Sequence, residues 1–457
     1  MFDLKKYKNI YMIGIGGISM SGIAHILNSW NFKVSGSNNE ENNMTDELNN
    51  AGIKVYIPHN YNNITNDIDL VVYTAAIKED NPELVHAHEL NIKIFERGEF
   101  LGELTKLFKD TIGISGTHGK TTTTSMVSLC FLEEGLDPSI QVGSVLKSIN
   151  GNYKVGNSDY FIIESCEYKD SFLNFKERSA IVLNIDNDHL DYFKTFDNIK
   201  KSFQKYVSHL PSDGVLVING EDKNCLELAL YTKAKIITYG LNDKCNYNAK
   251  NISFNEEGYP SYDLYKKDKF ITRIELSVIG NHNVLNSLAC ISLCLFYNIN
   301  IENIKKALKK YTGAARRFEY KGTFKKAKVY DDYGHHPTEV KAISNAILNK
   351  DYNKSWVIFE PHTYSRVKEH YKSFADSLLN FDSIIITDIY AAREKNVDNV
   401  SPEMIIKELD KLGKKAIHIS DFNEIKSYLS KNIQDNDLIL TLGAGYITKL
   451  SEMLIND

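Results

Sequence analysis

Ile114-Ser115-Gly116-Thr117-His118-Gly119-Lys120-Thr121 stands between the apolar run Thr111–Ser115 and a stretch of helical apolar periodicity. A Gly-rich turn in that setting presents backbone N–H groups and a helix N-terminus to a phosphate. Lys120 then reaches the β- and γ-phosphates, and the Thr121 hydroxyl ligates Mg2+. Gly116, Thr117, His118, Gly119, Lys120, Thr121 and Thr122 are therefore the expected ATP-binding residues. The usual pattern places its first glycine at position 114; this chain has Ile114, so the loop is a shortened form opening at Gly116.

Outward from this loop, Ile- and Val-rich runs alternate with amphipathic segments, the pattern of βαβ units with helices covering a largely parallel sheet. The class is α/β. The alternation restarts at Asn9, Thr111 and Ala327, and three domains are expected. They are a Rossmann-like N-terminal domain over 1–105, a P-loop central domain over 106–312 and a Rossmann-like C-terminal domain over 313–457. The length agrees, since 457 residues at about 150 per domain gives roughly three. The polar stretch 242–277 reads as antiparallel strands or loops inserted before a helix that begins near Asn283.

Lys+Arg number 54 against Asp+Glu 59, a net charge of −5 without a basic block, so nucleic acid is not an expected partner. No apolar run reaches the roughly 18 residues of a membrane span, and the opening MFDLKKYKNIYMIGIGG lacks a secretion signal's apolar core. A cytoplasmic location is expected, with no membrane partner; the oligomeric state is left open. Among six cysteines no pair has CxxC spacing, and Cys290/Cys294, one helical turn apart in an apolar stretch, read as buried free thiols rather than metal ligands.

Other motifs surround the phosphate loop. Glu164 ends the strand Phe161–Glu164, and Asp188-His189 follows the strand Ile181–Asp186. Strand C-termini face the same crevice as a P-loop, so Glu164 and His189 join Thr121 as candidate metal residues; a histidine suits Mn2+ at a second site better than Mg2+. Gly14-Ile15-Gly16-Gly17-Ile18-Ser19 departs from GxGxxG, and Asn38 stands where a dinucleotide site favours an acid. NAD is disfavoured, while a nucleotide diphosphate remains open. In the third domain DDYGHHPTE (331–339) and FEPHTYSR (359–366) look like a carboxylate- and phosphate-reading edge.

Taken together, GIGGISMSG, YTAAI, SGTHGKTTTT, ESCEYKDSFL, DHLDYF, GNHNVLNS, GAARRFEYKG, DDYGHHPTE, FEPHTYSR, DIYAARE and LGAGYI resemble the Mur ligases over essentially the whole chain, and specifically their alanine-adding branch. The resemblance implies ATP-driven joining of L-alanine to the lactyl carboxylate of UDP-N-acetylmuramate through an acyl phosphate. It implies that Gly14, Gly16, Gly17 and Ser19, with Thr74 nearby, hold the UDP-sugar. Asn283 and Asn286 would reach adenine, Arg317 and Asp332 would hold ATP from the third domain, and Tyr333, His335 and Arg366 would meet the amino acid. Lys120, Glu164, His189 and His335 are the implied catalytic residues, with His189 and His335 both open as the base for the alanine ammonium. ESCEYKDSFL differs from the relatives' ESDESDxSFL but keeps Glu164, Glu167, Ser171 and Phe172. Other branches carry a carbamoylated lysine at a position that falls near Phe203 here, which favours the alanine branch. The rivals are a cell-wall recycling ligase that attaches a whole peptide, a folylpolyglutamate synthetase and a P-loop switch without ligase chemistry.

Overall fold

Short runs of Ile, Val and Tyr bounded by polar turns become parallel strands when helices cover both faces. The computed structural model, which describes residues 3–392 and 394–456, contains three sheets built this way. The first holds β1 (Asn9–Ile13), β2 (Lys33–Ser37), β3 (Lys54–Tyr56), β4 (Leu70–Tyr73) and β5 (Lys93–Glu96), all parallel, in the order β3-β2-β1-β4-β5. The second begins with β6 (Asp110–Ser115), β7 (Ser139–Leu146), β8 (Gly151–Lys154), β9 (Tyr160–Glu164), β10 (Ser179–Val182), β11 (Val215–Asn219) and β12 (Lys235–Gly240). Their order is β12-β11-β10-β6-β9-β7-β8, parallel except for the β7–β8 hairpin. Every residue of β6 is buried, as a strand covered on both faces requires.

The chain divides into two compact units. One comprises residues up to 248 together with 287–307, and the other comprises 249–286 together with 308 onward. In the first, the helix Ile18–Ser29 packs on β7 and β8, and His25 stacks on Tyr153 with centroids 4.3 Å apart.

The second unit contains most of β13 (Tyr247–Phe254), with β14 (Pro260–Lys266) and β15 (Lys269–Glu275), the last two antiparallel, as the polar stretch suggested. Its own sheet holds β16 (Glu319–Phe324), β17 (Ala327–Asp332), β18 (Ser355–Phe359), β19 (Ser383–Ile386), β20 (Ala416–His418) and β21 (Leu438–Leu442). The order is β16-β17-β21-β18-β19-β20, parallel apart from β16. The helix expected near Asn283 runs over Asn281–Phe296. None of the described helices is long and apolar enough to cross a membrane.

One buried acid lies against β6. Gly113 of β6 leaves room for Glu177, whose carboxyl would sit 2.1 Å from a Cβ placed there. Glu177 accepts hydrogen bonds from the Ser165 and Tyr206 hydroxyls. Burial raises its pKa more than those bonds lower it, to about 7. A carboxyl raised in the folded state contributes stability that is full below its unfolded pKa and is lost as pH rises through 7. The loss is on the order of 3 kcal/mol at about 1.4 kcal/mol per pKa unit. Urea unfolding of the first unit at pH 5 and pH 8 should show this decline, and Glu177→Gln should flatten it. An equal decline in the variant would exclude Glu177 as its source.

Candidate functional site

Gly116 has φ +124°, and a Cβ there would lie 3.0 Å from the Leu183 backbone nitrogen, so this turn accepts only glycine. Gly119, at φ +86°, caps the helix Lys120–Glu133 without a side chain, leaving first-turn N–H groups to face an anion. The segment after β10 pins the loop. Asn184 accepts the His118 N–H at 2.8 Å and donates to the His118 carbonyl at 3.0 Å. The Asp186 N–H donates to the Thr117 hydroxyl at 2.9 Å, and the His118 ring lies 2.9 Å from the Asp186 carboxylate. Thr121 and Thr122 are buried at the start of the helix.

The Lys120 ammonium donates to the carbonyls of Gly116 at 2.5 Å and Thr117 at 3.1 Å, and to the Glu167 carboxylate at 3.0 Å. Burial alone would lower its pKa, but the Glu167 charge, with Glu164 adding to it, holds it above the ordinary lysine value. Glu167, with a side chain 2% exposed, also lies 3.9 Å from His189 Nε2. This acid is the candidate site residue that the strand ends alone did not point to. Its signal was present in ESCEYKDSFL as a second carboxylate three residues after the first. Glu164 ends β9, and one carboxylate oxygen accepts the Gly143 N–H of β7 at 2.6 Å.

Glu167 is aimed by the turn that follows it. Lys169 and Asp170 both have left-handed backbones, φ +55° and +57°, which costs a non-glycine residue about 1–3 kcal/mol. Neighbouring segments hold them there: Asp170 accepts from the Tyr192 hydroxyl at 2.7 Å and from the Ser202 hydroxyl, and Tyr168 donates to Asp191 at 3.1 Å. His189, itself at φ +58°, lies against the Tyr168 ring at 4.8 Å. Phe203 is fully buried edge-on to Phe172, so this position is core packing.

In the first sheet the Gly14 and Ile15 N–H groups donate to the Ser37 carbonyl at 2.8 and 2.9 Å. Gly14 is at φ +80°, and a Cβ there would lie 2.6 Å from Thr74 Cγ2, which brings Thr74 onto the glycine turn. Gly16 approaches the Asn38 amide nearly as closely, 2.8 Å from its would-be Cβ, and Gly17 caps the following helix. Ser19 accepts from Gln141 Nε2 through its carbonyl at 2.8 Å and its hydroxyl at 3.0 Å. The acid expected after β2 is replaced by Asn38, yet a carboxylate reaches this strand end from elsewhere. Buried Glu83 accepts from the Ser37 hydroxyl, Tyr11 at 2.9 Å, the Asn60 N–H at 3.1 Å and Asn63 at 2.7 Å, and lies 3.1 Å from the His59 ring. Burial raises its pKa, but those partners outweigh it and hold the carboxyl below its ordinary value.

In the second unit Asn286 donates to Asn283 at 3.0 Å, and Asn283 donates to the Ile279 carbonyl at 2.8 Å. Burial, with the Arg317 charge adding, pushes the adjacent His282 down to about 4, so it is neutral at pH 7. Asp332 accepts the N–H groups of Phe318 and Gly334, both at 2.7 Å; burial pushes its carboxyl up to about 6 against the pull of Arg317. The Arg316 and Arg317 guanidinium groups lie 5.0 and 5.3 Å from the Tyr333 ring. His335 and His336, similar in sequence, separate in structure. His336 caps the helix Pro337–Ile347 in a capping box with Glu339. His335 has its ring 5.2 Å from Tyr333 and 5.3 Å from His362. Arg366 lies 2.9 Å from His362 Nδ1, which inserts His362 between two expected amino-acid residues. His362 was visible within FEPHTYSR, but nothing in the local sequence distinguished it from a capping residue.

Three family descriptions match in succession: the catalytic domain of the Mur ligase family over residues 9–109, the Mur ligase middle domain over 114–294, and the Mur ligase glutamate ligase domain over 316–445. The whole chain is 46% identical to the UDP-N-acetylmuramate–L-alanine ligase of Acetivibrio thermocellus, covering 97% of it. It is 47% identical to the enzyme of that name from Clostridium acetobutylicum, again over the whole chain and 99% of the relative. The crystal structure of UDP-N-acetylmuramate–alanine ligase from Thermotoga maritima matches with a TM-score of 0.84 at 29% identity over 98% of both chains. A murein peptide ligase from Psychrobacter arcticus, at 22% identity and a TM-score of 0.72 over 98% of both chains, shares the fold.

Proposed function

The chain belongs to the Mur ligase family, and from that premise we propose how its residues divide the work. The enzyme is an ATP-dependent ligase that adds L-alanine to UDP-N-acetylmuramate in peptidoglycan synthesis. In our reading the Gly14–Gly17 turn, Ser19 and Thr74 hold the UDP-sugar. Gly116–Thr122 hold the triphosphate, and Asn283, Asn286, Arg317 and Asp332 hold the rest of ATP. The domain borders fall near 105 and 312. The requirement for ATP makes the enzyme cytoplasmic in this reading.

The lactyl carboxylate attacks the γ-phosphate, releasing ADP and forming an acyl phosphate. The L-alanine amine then adds to the acyl carbon, and the tetrahedral intermediate expels phosphate. The first step is positioning and charge neutralisation, which the buried Lys120–Glu167 pair under the loop supports. Lys120 exchanges its bonds to Gly116 and Thr117 for phosphate oxygens. The buried oxygens of Thr121 and Glu167, with Glu164 nearby and the His189 ring, fit Mg2+, with Mn2+ as the alternative at a second site. A bound ion would neutralise phosphate charge.

Only the neutral amine is nucleophilic, and of the two histidines the geometry favours His335 as its base. His335 Nδ1 lies 3.1 Å from the Tyr333 carbonyl and 3.4 Å from the Glu339 carboxylate. Both groups only accept, so Nδ1 carries a hydrogen, and in the neutral ring this leaves Nε2 as the basic nitrogen. Tyr333, His362 and Arg366 orient the amino acid.

The single observation that favours alanine over a peptide is full-length identity to alanine-adding relatives. The test is competitive ligation of L-alanine, glycine, L-serine, D-glutamate and an L-alanyl-D-glutamyl peptide to UDP-N-acetylmuramate. L-Alanine should win over glycine and serine by about 10- to 200-fold, the discrimination one methyl or hydroxyl allows in an apolar pocket. D-Glutamate and the peptide should be inert. Preference for the peptide would replace this reading with the recycling ligase.

A further inference from the structure

Cys130, Cys290 and Cys294 form a cluster that the ligase reaction does not use. Cys130 lies in the last turn of the helix Lys120–Glu133, and Cys290 and Cys294 lie in the last two turns of the helix Asn281–Phe296. All three are fully buried. The Cys130 and Cys290 sulfurs are 3.6 Å apart, those of Cys290 and Cys294 are 3.8 Å apart, and all three lie within 4.8 Å of one another. The sequence favoured plain buried thiols because it showed only a pair. The third sulfur comes from 160 residues away.

Thiolates about 2.3 Å from one central atom stand about 3.4 Å from each other when that atom is pyramidal and about 3.8–4.0 Å when it is tetrahedral or trigonal planar, so small side-chain rotations close this cluster on a single thiophilic atom. Charge decides which. The flanking residues Leu129, Phe131, Ile291 and Leu293 are buried and apolar, and both helices point the negative ends of their dipoles here. Three thiolates give a complex of charge −2 around monovalent copper and −1 around divalent zinc, each costly to bury. Around a trivalent metalloid the complex is neutral.

We propose that Cys130, Cys290 and Cys294 are a binding site for trivalent arsenic, taken up as uncharged arsenous acid and held as a neutral tris-thiolate. Three S–H and three As–O bonds break, three As–S and three O–H bonds form, and three waters leave with no change of oxidation state. Cys130 attacks first. Burial raises the thiol pKa of Cys290 and Cys294, while hydrogen bonds from those two thiols favour the thiolate of Cys130. Their protons leave with two displaced hydroxides, and the third hydroxide takes up the proton that Cys130 had released.

The test is anaerobic incubation of the full-length protein with sodium arsenite, desalting, native mass spectrometry and a thiol count after denaturation. The result expected is one arsenic per chain, a mass gain of one arsenic less three hydrogens, and a fall in titratable thiols from six to three. Cys290→Ser, checked for folding by circular dichroism, should lose the arsenic on desalting. Cys225→Ser and Cys245→Ser should each keep it. No retained arsenic in the native protein, or equal retention in Cys290→Ser, would overturn the proposal.

Discussion

Lys120→Ala should lower turnover by at least about 10²-fold, the loss that follows removal of one preorganised charge donor from a transition state. The ammonium sits on the Gly116 and Thr117 carbonyls, in the loop proposed to hold the triphosphate. It needs no reorganisation of the fold to bind phosphate. The substitution also leaves Glu167, 2% exposed, without its nearest cation, so the variant should melt lower and should be assayed below its transition. Phosphate release under saturating ATP, UDP-N-acetylmuramate and L-alanine provides the measurement. Near-normal turnover by a folded variant would remove Lys120 from the chemistry. Lys120→Arg, which keeps the charge but not the compact ammonium, should recover stability more fully than rate.

The second large effect separates two carboxylates three residues apart. Glu167→Gln removes the charge that faces both Lys120 and His189; turnover should fall on the order of 10²-fold and the Mg2+ needed for half-maximal rate should rise steeply. Glu164→Gln should do less, because part of that carboxylate's role is to accept the Gly143 N–H, which a glutamine oxygen can still do. The comparison is a Mg2+ titration of both variants. If Glu164→Gln shifts the titration and Glu167→Gln leaves it unchanged, the strand-end acid is the metal residue and Glu167 is structural.

The glycine loop was legible because its residues are contiguous: Gly116 and Gly119 supply the turn, with the Lys120 ammonium and the Thr121 hydroxyl directly after it. The alternation of strands and helices was legible for the same reason, since each period is local. Local pattern alone did not separate His335 from His336; the resemblance singled out His335, and the structure shows the helix Pro337–Ile347 taking His336 as its cap. By itself, then, the sequence determined the α/β class, the glycine turn before the helix Lys120–Glu133 and the resemblance to the Mur ligases, all of which rest on short-range pattern. Tertiary structure alone decided that Glu167 faces Lys120, because the left-handed turn at Lys169 and Asp170 is held by Tyr192 and Ser202. It alone brought Glu83 to Ser37 and Cys130 to Cys290. Such pairings depend on which surfaces bury against each other, and no local propensity encodes them.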